Sequence, residues 1–292
     1  MMKRKMLVLL AILLLAGLFA ACGSGNDVKK TEPGSTAPQS TSGTPDVDQS
    51  WEEIQTNGKL VIGLDDTFAP MGFRDEAGTL VGFDIDLATA VCETLGITAE
   101  FQPIAWTAKE MMLSSKRIDC VWNGMSATEE RQKAMALTDK YLNNVIKVAS
   151  MDPSINVRSE ADLAGLKIGI QADSAALEMV MANAAYDSFK ANITEYPTYD
   201  EAILDMQAGR IDVIIVDQVL AEYKNTKMKT PMTFSDFTFG DDFYAIGCRQ
   251  GDKALAAKIS EAIGLLIENG KAAEISEKWF GTNIVILEGY GE

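Results

Sequence analysis

The sequence predicts an α/β protein of two lobes, each a mostly parallel sheet flanked by helices. Three observations lead there. Short apolar runs alternate with amphipathic helical segments, the pattern of parallel strands covered on both faces by helices. The alternation runs through two separate series, from about 60 to 122 and from 167 to 216. The chain has 292 residues, and 47% of them are hydrophobic, enough for two buried cores at roughly 150 residues per domain.

The chain opens with an address. Lys3, Arg4 and Lys5 precede an apolar run from Met6 to Ala21, short for a membrane span and suited to a secretory signal over residues 1–21. The run ends at Ala20-Ala21-Cys22-Gly23, which resembles a bacterial lipobox, with cleavage before Cys22 and the lipid carried on that cysteine. Phe19 stands where the motif has Leu, and Leu falls one place earlier at Leu18; an ordinary signal peptide with an incidental cysteine is the alternative. In residues 23–50, 16 of 28 are Gly, Ser, Thr or Pro and none is aromatic, so residues 22–50 are expected to form a flexible tether. As a coil it spans about 30 Å.

The folded elements follow in order. Ser50-Trp51-Glu52-Glu53 has capping-box spacing and is expected to open a short helix. Leu60 to Leu64 is a buried strand by its unbroken apolar run. Ile85, Ala88, Val91, Cys92 and Leu95 recur at helical spacing from Phe83 to Leu95, and Gly96 closes that helix. Ile97 to Ile104 reads as a strand, Thr107-Ala108-Lys109-Glu110 as a second capping box, Ile118 to Trp122 as a strand, and Thr128 as the cap of a helix from Glu129. The pattern repeats with a strand over Lys167–Gln171, a Ser174-capped helix to Ala185, a strand over Ile193–Tyr196 and a Thr198-capped helix ending at Gly209. A strand over Ile211–Val216, a helix from Val219, a strand over Phe243–Cys248 and a helix over Ala254–Glu268 complete the series. The return of the last strand and helix predicts a discontinuous first lobe, 51–142 plus 244–292, around a second lobe at 143–243. Crossing strands near Val145–Ser150 and Asp241–Cys248 would form the hinge.

Composition narrows the chemistry. The chain has no histidine, which removes Ser–His and Cys–His catalysis and His-ligated zinc, and no cofactor or metal is expected. With 26 basic and 42 acidic residues the net charge is −16, so nucleic acid is not an expected partner. Without Lys3, Arg4 and Lys5 there remain 23 basic residues against 42 acidic, a net charge of −19. Cys92, Cys120 and Cys248 lie in apolar segments and are expected to be buried free thiols. In open parallel sheets, ligands bind beyond the carboxyl ends of strands, where helix N-termini present free N–H groups. A cleft between the lobes is therefore the expected site.

Four segments carry a family resemblance: Gly63-Leu64-Asp65-Asp66-Thr67-Phe68-Ala69-Pro70; Gly78-Thr79-Leu80-Val81-Gly82-Phe83-Asp84-Ile85-Asp86-Leu87; Ile118-Asp119 through Asn123-Gly124-Met125-Ser126-Ala127-Thr128-Glu129-Glu130-Arg131, followed by Thr138-Asp139-Lys140-Tyr141; and Ala208-Gly209-Arg210-Ile211-Asp212 with Asp217. Over most of residues 58–280 the chain resembles the solute-binding proteins of ABC importers, the family that binds polar amino acids, in its lipoprotein form. The resemblance implies a two-lobe periplasmic-binding-protein-like fold with the ligand held between lobes, a lipid-anchored protein at the extracytoplasmic face of the cell membrane, a membrane permease as partner, and a monomer.

A zwitterion needs a cation for its carboxylate and a carboxylate for its ammonium. Arg131 suits the first task because a guanidinium makes two parallel bonds, and it follows a helix cap, whose N-terminal potential favours the same anion. It is expected to be partly exposed in the cleft. Ser126 is expected to offer its hydroxyl and N–H to that carboxylate, and Gly124 its carbonyl to the ammonium. By resemblance Asp217 accepts the ammonium; a helix N-cap is its alternative role. Phe68 and Trp106 are expected to sandwich the side chain, with Asn123 beside them and Asp65 reading a polar or cationic group. Trp122, next to Asn123, reads as core. Asp66 is open between the pocket and a turn. The family has Gly before Ser or Thr in the second lobe; here it is Asp173 before Ser174, so Ser174 still serves the carboxylate while Asp173 acts either as a cap or in specificity.

These residues point to a polar L-amino acid with donors in its side chain: arginine, lysine, histidine or glutamine. Cystine is the alternative. A ligand-sensing lipoprotein and, more remotely, a dehydratase on the same scaffold are the other functions weighed; no catalytic residue is expected.

Overall fold

The computed structural model describes residues 47–290, so the expected signal, Cys22 and nearly all of the tether lie outside the described residues. Helix α1 (Ser50–Asn57) is not opened by a capping box. Asp48 Oδ1 accepts from the Ser50 N–H at 3.0 Å, while the buried Ser50 hydroxyl accepts from the Leu255 N–H at 3.1 Å. The hydroxyl is used in a tertiary contact that local spacing does not reveal. Gly58, left-handed at φ 69°, ends the helix and starts β1 (Lys59–Leu64).

A small sheet of β2 (Thr67–Phe68), β3 (Gly72–Arg74) and β4 (Leu80–Val81) follows, its strands too short for periodicity to mark. Gly82 closes it at φ 149°, where a Cβ would stand 2.1 Å from the Met71 carbonyl oxygen. Helix α2 (Phe83–Leu95) has the expected bounds and buries Phe83, Leu87, Ala88 and Val91. Strand β5 (Thr98–Pro103) leads to a single turn of 3₁₀ helix at Trp106–Ala108 and then α3 (Lys109–Ser114), with no side-chain cap, so the second capping box is also absent. After β6 (Cys120–Val121), Thr128 does cap α4 (Glu129–Ala134), accepting from the Arg131 N–H at 3.3 Å. Strands β7 (Met135–Leu137) and β8 (Lys140–Ser150) lead out of the first series.

The second series is β9 (Ile168–Gln171), α5 (Ala175–Ala182), α6 (Tyr186–Phe189), β10 (Ile193–Tyr196), α7 (Tyr199–Gln207), β11 (Val213–Asp217) and α8 (Gln218–Lys227). Ser174 and Thr198 cap α5 and α7 as expected. The chain returns through β12 (Thr233–Tyr244) and β13 (Gly247–Arg249), then α9 (Lys253–Glu268), α10 (Lys271–Phe280) and β14 (Val285–Glu288). The strand expected over Phe243–Cys248 is thus two strands. They part at Ala245 and Ile246, whose N–H groups bond to the Met125 carbonyl and the Thr138 hydroxyl as the chain changes sheets.

The two-lobe architecture is present as two sheets, ordered β5-β1-β6-β13-β7 and β10-β9-β11-β8-β12, with β14 added to β8. Parallel pairing holds where strands alternate with helices, β1 with β5 and β6, and β9 with β10 and β11. The strands that carry the chain between sheets, β8, β12 and β13, join antiparallel, so each sheet is mixed rather than mostly parallel. Beneath α5, Ile146, Val148, Ile168, Ile170, Val213 and Ile215 pack as one apolar layer. Residues from β1, α2 and α9, including Leu60, Ile62, Leu87, Ile259 and Ile263, pack in another. Each such side chain contributes about 1.5–3 kcal/mol when fully buried. Cys92, Cys120 and Cys248 are buried and unbridged. No helix among the described residues is long and apolar enough to cross a membrane.

Candidate functional site

β1 and β6 of one sheet and β9 and β11 of the other end at a narrow, nearly closed cleft lined by Phe68, Trp106, Asn123, Gly124, Ser126, Arg131, Gln171, Ser174, Ala175 and Asp217. The structure brings together every residue expected at a ligand except Asp65, which reaches the cleft through Gln171, whose amide donates to its carboxylate at 2.9 Å.

On the first side, the Asp65 carboxylate also accepts from the Thr67 N–H at 3.0 Å and hydroxyl at 2.7 Å, and burial pushes its pKa up. Asp66 turns away to pair with Arg74 at 2.6 Å, which settles it as a turn residue. Asn123 Oδ1 accepts from the Asp65 N–H at 3.1 Å, while its Nδ2 is buried without a partner beside Gly72. Trp122 is core, as expected. Gly124 sits at φ 55°, and a Cβ there would come within 2.9 Å of the Phe68 ring. Its N–H donates at 2.7 Å to Asp84, a fully buried carboxyl that burial pushes up to about 7 and that also accepts from the Tyr141 hydroxyl. Asp84 therefore buttresses the turn from beneath.

Arg131 is not partly exposed but 3% exposed, because the second lobe covers it. Its guanidinium donates to the carbonyls of Ser126 at 3.2 Å and Asp173 at 3.3 Å, and pairs with Glu178 at 3.0 Å. The expected use of the Ser126 hydroxyl also needs correction: it donates at 2.7 Å to Asp242, which leaves the Ser126 carbonyl on Arg131 as its contact with the cationic end.

On the second side, Asp217 ends β11 and makes no cap bond to α8, which removes the capping alternative. Asn144 donates to it at 2.7 Å and the Tyr244 hydroxyl at 2.8 Å. The same Asn144 amide donates at 2.8 Å to Asp242. Desolvation, then repulsion from Asp242, pushes Asp217 up to about 7; burial raises Asp242 as well. Ser174, not Asp173, caps α5. Asp173 holds a left-handed backbone at φ 59°, which costs a non-glycine residue of order 1 kcal/mol, and its carboxylate pairs with Lys109. The cap role expected for Asp173 is thus taken by Ser174.

Gln171, Asn144, Asp242, Lys109 and Glu178 were missed by sequence reasoning. Only Gln171 had a local signal, as the last residue of a strand that ends at the cleft. The arrangement offers a fixed cation at one end, buried carboxylates at the other and aromatic faces between them, which matches a small zwitterion. No group of metal-ligating side chains occurs among the described residues.

Known proteins share this plan. Residues 60–282 match the model of the bacterial extracellular solute-binding proteins, family 3. The L-cystine-binding protein of Escherichia coli strain K12 is 26% identical over 236 residues, covering 80% of this chain and 86% of that one. The L-arginine-binding protein of Pseudomonas aeruginosa is 27% identical over 230 residues, covering 76% and 88%. The solved structure of an ABC uptake transporter substrate-binding protein from Streptococcus pneumoniae, with bound histidine, matches at TM-score 0.74 and 36% identity, over 82% of this chain and 98% of that one. The chain belongs to the bacterial extracellular solute-binding proteins of family 3.

Proposed function

We propose that the protein binds a polar L-amino acid between its lobes and delivers it to the permease of an ABC transporter. The α-carboxylate lies on Arg131 and the turn at Ser174, and the ammonium on Asp217 and the Gly124 carbonyl. The side chain lies between Phe68 and Trp106, directed at Asp65. The observation that carries this reading is that a buried carboxyl, Asp217, and a buried guanidinium, Arg131, line one cavity. A donor-bearing side chain such as that of arginine, lysine, histidine or glutamine satisfies Asp65 and Gln171, and cystine does so with its second ammonium. A free glutamate or aspartate would set a second carboxylate against Asp65 and bind poorly.

In this reading the lobes are 51–142 with 244–292, and 143–243, hinged where β8 and β12 pair. The chain acts as a monomer held by a lipid on Cys22 and its tether at the extracytoplasmic face, without a cofactor. It is not an enzyme: Asp217, the cavity carboxyl nearest neutrality, serves as the acceptor of an ammonium. A thermal-shift screen of the stripped protein against the common L-amino acids and cystine tests the reading. A fitting ligand at a hundred times its Kd stabilises by about 2.7 kcal/mol. Mass spectrometry should recover it unchanged. No shift with any amino acid, or recovery of a dehydrated product, would overturn the proposal.

A further inference from the structure

Lys109 is the one fully buried lysine among the described residues. Its ammonium meets the Asp173 carboxylate, and lies 3.3 Å from the Asp173 carbonyl, 3.4 Å from Glu110 and 5.0 Å from the centroid of the Trp106 ring. Lys109 begins α3 beside the first sheet, and Asp173 lies in the turn after β9 of the second. Every contact between them crosses the cleft. The Asp173 carbonyl takes two more donors from the first lobe, Trp106 Nε1 at 3.0 Å and an Arg131 guanidinium nitrogen at 3.3 Å.

These contacts converge on a residue whose backbone is left-handed. A glycine would take that conformation freely, with the cleft open or closed. An aspartate holds it only with help, and the partners that hold it come from the opposite lobe. Lys109 is the buried member of this pair, while the Asp173 side chain is 43% exposed, so removing the carboxylate would leave a desolvated ammonium without its partner. Opening the cleft separates the pair and rehydrates the ammonium, so the pair biases closure by its attraction net of the cost of keeping Lys109 desolvated.

We propose that Lys109 and Asp173 form a latch that couples closure of the cleft to assembly of the Asp173–Ser174 turn. Lys109 is then a positioning residue: it does not touch the ligand, but it sets how long the closed state, and any ligand in it, persists. The inference rests on the two-lobe binding reading above, yet part of its test needs no ligand.

The test uses the full chain, unfolded and refolded to strip bound amino acid. The variants are Lys109→Met, Asp173→Gly and the double variant, each checked for cooperative melting. Asp173→Gly relieves the left-handed backbone and keeps the test usable if Lys109→Met does not fold. Dissociation of L-arginine or L-cystine, followed by tryptophan fluorescence, should quicken about tenfold in Lys109→Met, with association within about twofold, since contacts made only in the closed state act on the off-rate. In the Asp173→Gly background, the same lysine change should alter dissociation less than about twofold, because the effects of coupled partners do not add. Should Lys109→Met not fold, faster dissociation from Asp173→Gly than from wild type is the expected result and no change overturns the latch. With both proteins folded, equal acceleration in the two backgrounds, or none in either, overturns it. Should neither amino acid bind, the binding reading fails separately and small-angle scattering without ligand decides. A larger radius of gyration for the variants than for wild type supports the latch, and identical curves overturn it.

Discussion

The two ends of the cleft are built on different principles. At one end stands a single guanidinium, Arg131, whose charge is permanent and whose nearest partners are the carbonyls of Ser126 and Asp173 and the Glu178 carboxylate. At the other, Asp217 and Asp242 share one amide donor, Asn144, and both are pushed above the usual carboxylate range. The cationic end is thus a fixed charge. The acidic end is titratable, and Asp217 changes state near neutrality. In the proposed pose the ligand carboxylate shares or displaces Glu178 on a cation that stays charged, while the ammonium partner is ready only once a proton has left.

Removing the fixed charge should have the largest effect. Arg131→Ala leaves a ligand carboxylate without its cation, a loss of roughly 2–5 kcal/mol in affinity, at acid and neutral pH alike. Titration calorimetry at both pH values checks this, and a loss confined to one pH would show that the two ends are not independent.

The titratable end should give a smaller effect that depends on pH. In the proposed pose the ammonium binds the ionised form of Asp217, so affinity should be lost as pH falls through about 7. With one proton displaced, affinity should be about tenfold weaker at about pH 6 than at about pH 8. The unliganded fold should move the other way. Asp84 and Asp217 hold protons between the ordinary value of 3.8 and about 7 that the unfolded chain has released, so their contribution to stability falls as pH rises through that window. Calorimetric affinities and melting temperatures across the same pH series should therefore slope in opposite directions.

Much of this site was legible in the sequence because it depends on local order. Thr128 caps α4, and that fixes Arg131 in its first turn. The unbroken apolar run Val213–Val216 marks a strand buried on both faces, and its end delivers Asp217 to the cleft. The partners that tune these groups were not legible. Asp242 meets Ser126 from 116 residues away, and Lys109 meets Asp173 from 64. Such pairs follow from how the sheets stack, for which a single sequence carries no period. The capping box at Ser50 failed for the same reason, since a tertiary partner, the Leu255 N–H, claimed the side chain that spacing assigned to the helix; at Thr107 the helical turn has already begun at Trp106, so the threonine is not at a cap position. The mixed sheets also escaped notice, since the antiparallel strands β8 and β12 lack the alternation with helices that identifies parallel ones.

In the proposed pose one ligand bridges the two ends, carboxylate on Arg131 and ammonium on Asp217. The most direct test is calorimetry of wild type and Asp217→Asn with the best-binding amino acid and with its analogue lacking the α-ammonium. The substitution should weaken the amino acid by roughly 2–5 kcal/mol while leaving the already weak analogue nearly unchanged. An equal loss for both ligands, or no loss for the amino acid, would contradict it.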